Sequence, residues 1–108
     1  MKPIKNNLTK ILNIDYPIIQ APMGWIARSQ LASAVSEAGG LGIIETSSGE
    51  IDAIREEIKL MREKTKKPFG VNIAQAVVRD PDIVNFIIDQ GVKFVTTSAG
   101  DPNNNSRE

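Results

Sequence analysis

Small residues and residues with hydroxyl or amide groups follow each strand that the 108-residue sequence predicts. They occupy Ala21–Gly24, Glu45–Ser47, Asn72 and Thr96–Gly100. If the strands are parallel, these groups meet at one edge of the sheet, where amides and hydroxyls can hydrogen-bond the polar edge of a flat heterocycle. The alternative is that they are ordinary turn residues, since Ser, Thr, Asn and Gly favour turns and helix caps for local reasons. Composition alone favours the turn interpretation.

The residue types present limit the chemistry that this chain can supply. It contains no cysteine and no histidine, so it offers neither a thiolate nucleophile nor the commonest acid–base group at neutral pH. Glu45 and Asp101 are the two carboxylates at the predicted strand ends, and Glu45 is the acid–base candidate. The simpler interpretation is that Glu45 is a solvated turn residue. Trp25 lies in the loop after the first predicted strand, where it either stacks on a ligand or covers the site. The sequence does not separate these two roles.

Four predicted strands position these groups. The first is Tyr16–Met23, which reads as a short buried strand whose pairing is limited by Pro17 and Pro22, because proline has no N–H for a sheet ladder. The other three are apolar runs bounded by turn residues, at positions 41–44, 69–73 and 93–97.

Three predicted helices alternate with the strands. Apolar residues at helical spacing place them at 31–38, 51–61 and 83–88. A helical turn or two at 1–15 is predicted to cap the end of the sheet. The alternation of strands and helices predicts an α/β fold with a parallel sheet.

The length of the chain is short for a complete fold of this kind. A flavodoxin-like sheet needs five strands and a (β/α)₈ barrel needs about twice this length. Crossovers of one hand put all three helices on one face of the sheet and leave the other face bare. We therefore expect a fragment or one half of a self-associated pair.

Charge and hydropathy narrow the class of partner. Thirteen basic and thirteen acidic residues cancel, which argues against binding to nucleic acid or to a membrane surface. No apolar run has the length of a signal peptide or a membrane span, so a cytoplasmic protein is expected.

Four stretches of the chain resemble the amino-terminal part of the nitronate monooxygenase family, formerly called 2-nitropropane dioxygenases, and of the related flavin-dependent enoyl-acyl-carrier-protein reductases. These stretches are Tyr16–Gly24, Ala38–Ile44, Lys67–Ile73 and Val92–Pro102. Their order and spacing fit the family over residues 15–102, which makes the four together far more specific than any one.

The resemblance implies the amino-terminal half of an FMN-binding TIM barrel, with four strands and three helices. On this interpretation residues 1–15 are a cap, 16–102 a partial barrel and 103–108 a tail. The implied flavin contacts are Ala21, Pro22, Met23 and Gly24 along the isoalloxazine ring, Asn72, and more weakly Gln20, Thr97 and Ser98. In the family the catalytic histidine and the loops that hold the FMN phosphate come from the later half of the barrel. No catalytic residue is therefore expected within this chain, and the chain alone is expected to be inactive.

The implied activity is the oxidation of alkyl nitronates, a small-molecule substrate, with oxygen. An enoyl-thioester reductase that uses a nicotinamide cofactor shares the same strands and stays open as a second enzyme hypothesis. A third hypothesis is a half-barrel module without enzyme activity, which dimerises to bury its open face. The expected macromolecular partner is thus either a second copy or the missing carboxyl-terminal half of the barrel.

Overall fold

A computed structural model describes residues 2–47, 49–74, 82–98 and 100. The helices are α1 Asn7–Leu12, α2 Ser29–Glu37, α3 Ile51–Lys64 and α4 Ile83–Asp89, and the strands are β1 Gly42–Ile44, β2 Phe69–Ala74 and β3 Phe94–Ser98. The helices lie where the apolar spacing predicts them, and the strands match the second, third and fourth predicted strands. Asp101 and the predicted tail at 103–108 lie outside the described residues.

The three strands form one parallel sheet in the order β1-β2-β3. Ile44 pairs with Val71 across the first two strands, and Asn72 pairs with Thr96 across the next two. The parallel α/β prediction is confirmed. Within the described residues the strands lie side by side in chain order, whereas a doubly wound sheet reverses its strand order at a switch point.

The first predicted strand is reduced to a single parallel bridge between Ile19 and Leu41. The Leu41 N–H donates to the Ile18 carbonyl over 2.9 Å, and the Gln20 N–H donates to the Leu41 carbonyl over 3.0 Å. The next donor along this edge would be Pro22, which has no N–H, so the ladder ends there. The prediction that this strand is buried was wrong, because Ile18 is 58% exposed and Ile19 is 46% exposed.

Helices α2, α3 and α4 pack on one face of the sheet, as the crossover rule predicts. The core they share with β1 and β2 consists of buried apolar side chains: Ala32, Ile44, Ile54, Ile58, Met61, Val71, Ile73, Ile83, Val84, Ile87 and Val92. Helix α2 crosses β1 so closely that a Cβ atom on Gly42 would lie 2.0 Å from the Ala32 carbonyl oxygen. Only glycine allows this crossing.

Among the residues that the structure describes, those that cover the opposite face of the sheet lie near the amino ends of the strands. There Leu12 and Ile14, at the end of α1 and just after it, pack with Leu41 and Ile43, and Phe94 lies against them. Towards the carboxyl ends the same face becomes polar. None of the helices in the described ranges is long and apolar enough to cross a membrane.

Candidate functional site

The candidate site is built on the polar face at the carboxyl ends of β2 and β3. Thr96 donates its hydroxyl to Asn72 Oδ1 over 2.8 Å, and Asn72 Nδ2 donates to the Ser98 hydroxyl over 3.0 Å. Because successive strand residues point to opposite faces, these three side chains lie on the face away from the helices. Asn72 is 5% exposed, so its neighbours hold it in one orientation.

The Asn72 carboxamide retains hydrogen-bonding capacity after these two contacts. A carboxamide has two N–H donors and two acceptor lone pairs. Thr96 occupies one lone pair and Ser98 accepts one N–H, which within the described part of the chain leaves one donor and one acceptor. A ring edge that carries both an N–H and a carbonyl oxygen, as the polar edge of a flavin does, matches that remainder.

Gln20 uses its side chain to extend the sheet. The Ile43 N–H donates to Gln20 Oε1 over 3.0 Å, and Gln20 Nε2 donates to the Ile43 carbonyl over 3.2 Å and also to the Ala21 carbonyl. The carboxamide thus makes the two hydrogen bonds with Ile43 that a continued backbone ladder would make if Pro22 had an N–H. Both amide hydrogens are engaged, so the structure gives Gln20 a role in the sheet, and a flavin contact from it stays a prediction.

The predicted ring-contacting segment, residues 21–24, is exposed and lies beside the end of β1. A Cβ on Gly24 would lie 3.3 Å from the Ser47 hydroxyl oxygen, which puts the Gly24 backbone close against that side chain. A tight turn follows, in which the Ile26 and Ala27 N–H groups donate to the Met23 carbonyl over 3.1 and 2.9 Å. The segment presents open backbone that a flat ligand can approach.

The two residues of β3 that were predicted to contact the flavin, Thr97 and Ser98, lie on opposite faces of the sheet. Ser98 lies in the polar row with Asn72, whereas Thr97 pairs with Ile73 and lies on the helix-facing side. Thr96 completes the row; it belongs to the polar strand-end group that the sequence identifies, but it is not among the flavin contacts that the resemblance implies. The two-residue alternation of Phe94, Thr96 and Ser98 is the signal that identifies it.

Glu45 is not the solvated turn residue that the sequence favours, because it is 5% exposed. Its Oε1 pairs with Arg28 Nε at 3.0 Å, and its Oε2 accepts the Ser47 N–H over 2.6 Å and the Ser47 hydroxyl. Burial alone would raise the pKa of Glu45, but these hydrogen bonds and the Arg28 charge outweigh it and hold the pKa below the ordinary glutamate value. A carboxylate with a lowered pKa is a weak base at neutral pH, which disfavours an acid–base role.

Trp25 adopts a left-handed backbone conformation, with φ of 63°, and its side chain is 71% exposed. The Arg28 guanidinium carbon lies 4.7 Å from the centre of the indole ring, within the range of a cation–π contact. Arg28 therefore touches both the indole and the Glu45 carboxylate.

A cavity of about 390 Å³ lies at the opposite, amino-terminal edge of the sheet, between Phe69, Phe94, Arg62 and Lys93. In parallel α/β folds that edge serves stability, and ligand chemistry occurs at the carboxyl edge. Among the described residues no cluster of three His, Cys, Asp or Glu side chains could hold a metal ion.

Comparison with known proteins gives matches over most of the chain. The family model for nitronate monooxygenase matches residues 5–83. The (3aS,4S,5R,7aS)-5-hydroxy-7a-methyl-1-oxo-octahydro-1H-indene-4-carboxyl-CoA dehydrogenase of Mycobacterium tuberculosis is 37% identical over 93 residues, which are 86% of this chain and 26% of that protein. A probable nitronate monooxygenase of Staphylococcus aureus is 42% identical over 69 residues, which are 64% of this chain and 19% of that protein.

A solved structure, FabK from Thermotoga maritima, is 42% identical to this chain and superposes with a TM-score of 0.86. The match covers 92% of this chain and 32% of the FabK chain. FabK is a TIM-barrel enzyme. The chain thus spans about a quarter of the length of the dehydrogenase and about a third of the length of FabK.

Proposed function

This chain belongs to the nitronate monooxygenase family, and from that premise we propose that it supplies part of the flavin-contacting wall of an FMN-dependent oxidoreductase that oxidises alkyl nitronates with oxygen. Family members are oxidoreductases. The proposed substrate is a small molecule. The name of the Staphylococcus aureus relative supports nitronate as the substrate class.

The proposed architecture is the first half of a TIM barrel, spanning residues 16–102, with residues 1–15 as a cap. Two observations support it. The strands of the described ranges lie side by side in chain order without a reversal, and the Ile19 bridge adds the first segment to the β1 edge in the same direction. The likeness to FabK extends this pattern to a known barrel.

The observation that carries the proposal is the Asn72 carboxamide, held by Thr96 and Ser98 with one donor and one acceptor left over. We assign Asn72 to the polar edge of the FMN ring and the open backbone of Ala21–Gly24 to its flat side. When bound, FMN would supply the redox chemistry that connects the substrate to oxygen. The chain's residues orient the ring and keep its polar edge hydrogen-bonded.

The acid–base group for the substrate is proposed to lie in the remaining part of the whole protein. This chain has no histidine, and Glu45 is held ionised by Arg28 and Ser47. The FMN phosphate site is assigned there as well, because the resemblance to the family implies that the loops that hold the phosphate come from the later half of the barrel.

The test measures FMN binding and turnover separately. Titration of FMN with the pure chain, followed by flavin fluorescence, should show weak binding, because the ring is held without its phosphate. Addition of FMN and an alkyl nitronate should give no turnover. Robust turnover by the 108-residue chain would contradict the assignment of the acid–base group elsewhere. If the chain binds no FMN even at millimolar concentrations, the proposal that it forms part of the flavin-contacting wall is wrong.

An enoyl-acyl-carrier-protein reductase is the second candidate function, favoured by the TM-score of 0.86 to FabK. It predicts oxidation of NADH by the full-length protein in the presence of a crotonyl thioester. Nitronate-dependent oxygen consumption without that NADH oxidation would favour the first candidate.

A further inference from the structure

Glu45 links the end of β1 to residues 27 and 28, which are distant in sequence, and also holds its near neighbour Ser47. Its Oε1 holds Arg28 at 3.0 Å, and its Oε2 accepts both hydrogen bonds from Ser47. Its own N–H donates to the Ala27 carbonyl over 2.8 Å. The end of β1 is therefore fastened to the loop that precedes α2 through both the backbone and the side chain of one residue.

The residues that Glu45 holds are those that touch the predicted flavin segment. Gly24 lies close to the Ser47 hydroxyl: a Cβ atom added to Gly24 would lie 3.3 Å from the hydroxyl oxygen. On the other side, Arg28 lies 4.7 Å from the centre of the exposed Trp25 ring. The Glu45 carboxylate thus contacts both Ser47, which lies next to Gly24, and Arg28, which lies next to Trp25.

We propose that Glu45 is the positioning residue for the Ala21–Gly24 segment and for Trp25, acting through Ser47 and Arg28. The flavin part of this assignment rests on the proposed function. Glu45 does not touch the ring. It fixes the backbone along which the ring would lie, so its loss should loosen the loop before it affects the sheet.

The charged groups around Glu45 determine whether its contact with Arg28 depends on its ionisation. From the residues before α2 it is faced by Arg28, and from α3 by Glu57, which lines the same small gap together with Ala53 and Ile54. Glu57 is itself engaged, since its Oε1 accepts the Ser29 N–H over 2.9 Å. Protonation of the Glu45 carboxylate removes the negative charge that pairs with Arg28.

The first experiment uses Trp25, the single tryptophan of the chain, and needs no flavin. Time-resolved fluorescence anisotropy should show faster local motion of Trp25 in Glu45→Gln than in the wild type, with unchanged far-ultraviolet circular dichroism. Glu56→Gln, an exposed carboxylate on α3, is the matched control and should behave as the wild type. Equal anisotropy decays for Glu45→Gln and the wild type would overturn the proposal. If Glu45→Gln fails to fold, Ser47→Ala, which leaves the ion pair in place, should still raise Trp25 motion, and no change in it would also overturn the proposal.

The second experiment measures FMN affinity by flavin fluorescence. Loss of a charged hydrogen-bond acceptor should weaken FMN binding about tenfold in Glu45→Gln and leave it unchanged in Glu56→Gln. If the wild type binds FMN and Glu45→Gln binds it equally well, the positioning role towards the flavin is overturned. If the wild type binds no FMN, the proposed function fails, and the Trp25 measurement still decides the role of Glu45.

The third experiment follows Trp25 anisotropy against pH. The pKa of Glu45 is lowered in the folded chain, so the ionised form is the stabilising one, and its contribution is lost as the pH falls through that lowered value. Wild-type protein should show a transition to faster Trp25 motion below the ordinary glutamate pKa. The transition should persist in Glu57→Gln and be absent from Glu45→Gln. If Glu45→Gln shows a transition of the same midpoint and amplitude, another group causes the transition. That result would overturn the proposed link between Glu45 ionisation and Trp25 motion.

Discussion

Asn72 divides its hydrogen-bonding capacity between the sheet and the open face in front of it. Thr96 and Ser98 take half of that capacity and fix the orientation of the amide. A buried polar group with unused donors and acceptors is costly unless a ligand or water meets them. This is the physical reason for assigning Asn72, among all polar residues of the sheet, to the flavin.

Replacement of Asn72 by alanine tests that assignment. Asn72→Ala should weaken FMN binding at least about tenfold, because it removes the donor and the acceptor that the ring edge would meet, and should lower the free energy of unfolding by about 1 kcal/mol. Flavin fluorescence titration and urea denaturation measure the two effects. Asn85→Ala, on the exposed side of α4, is the control. Equal FMN affinities in the two variants would remove Asn72 from the flavin site.

At the scale of elements, the Gln20 carboxamide replaces a stretch of backbone. It pairs with both the N–H and the carbonyl of Ile43, at the point where Pro22 ends the ladder. A side chain that completes a sheet explains why this segment stays in register although it has only one bridge of its own.

Gln20→Ala should therefore lower the free energy of unfolding by about 2 kcal/mol, because it leaves two backbone groups of Ile43 without partners. Gln30→Ala provides the comparison, since Gln30 is exposed on α2. Urea denaturation of both variants measures the difference. If they lose the same stability, water satisfies Ile43 as well as Gln20 does.

The crossing of α2 over β1 makes a second prediction at this scale. Gly42→Ala would place a Cβ 2.0 Å from the Ala32 carbonyl oxygen, so the helix must move, and we expect a loss of about 3 kcal/mol. A Cβ from Gly24→Ala would lie 3.3 Å from the Ser47 hydroxyl oxygen, a much looser approach, so this variant should cost less than about 1 kcal/mol. Thermal denaturation of the two variants separates backbone crowding from the general effect of replacing glycine, and similar melting temperatures would contradict the close crossing.

At the scale of the whole molecule, large apolar side chains remain exposed along the first segment and the loop after it. Ile18, Trp25 and Ile26 are 58%, 71% and 65% exposed. Large exposed apolar side chains commonly mark contact surfaces. They support the hypothesis that this part of the molecule contacts a second copy or the remaining half of a barrel.

Sedimentation velocity at several concentrations tests this association. The wild-type chain should show a sedimentation coefficient that rises with concentration, and Ile18→Lys together with Ile26→Lys should shift it towards the monomer. Ile11→Lys changes a residue that is equally exposed, at 70%, but lies on α1 near the amino-terminal edge of the sheet, and should have no effect. A compact monomer at every concentration would show that the open face needs no partner.

The sequence by itself determined the elements and their direction. Apolar spacing located α2, α3 and α4, and the short runs between turn residues located β1, β2 and β3, because these signals are local. The alternation of the two kinds of element required a parallel sheet with its helices on one face. Together with the four family-like stretches, it led to the family and placed Asn72 at a strand end.

Only the tertiary structure decided what each polar side chain does. Glu45 finds Arg28 across 17 positions and Gln20 finds Ile43 across 23, and neither spacing leaves a local signal. The first strand has the composition of a buried strand, yet its pairing depends on a partner edge and on the reach of one side chain. Burial and hydrogen-bond partners are properties of distant contacts, so chain composition cannot fix them.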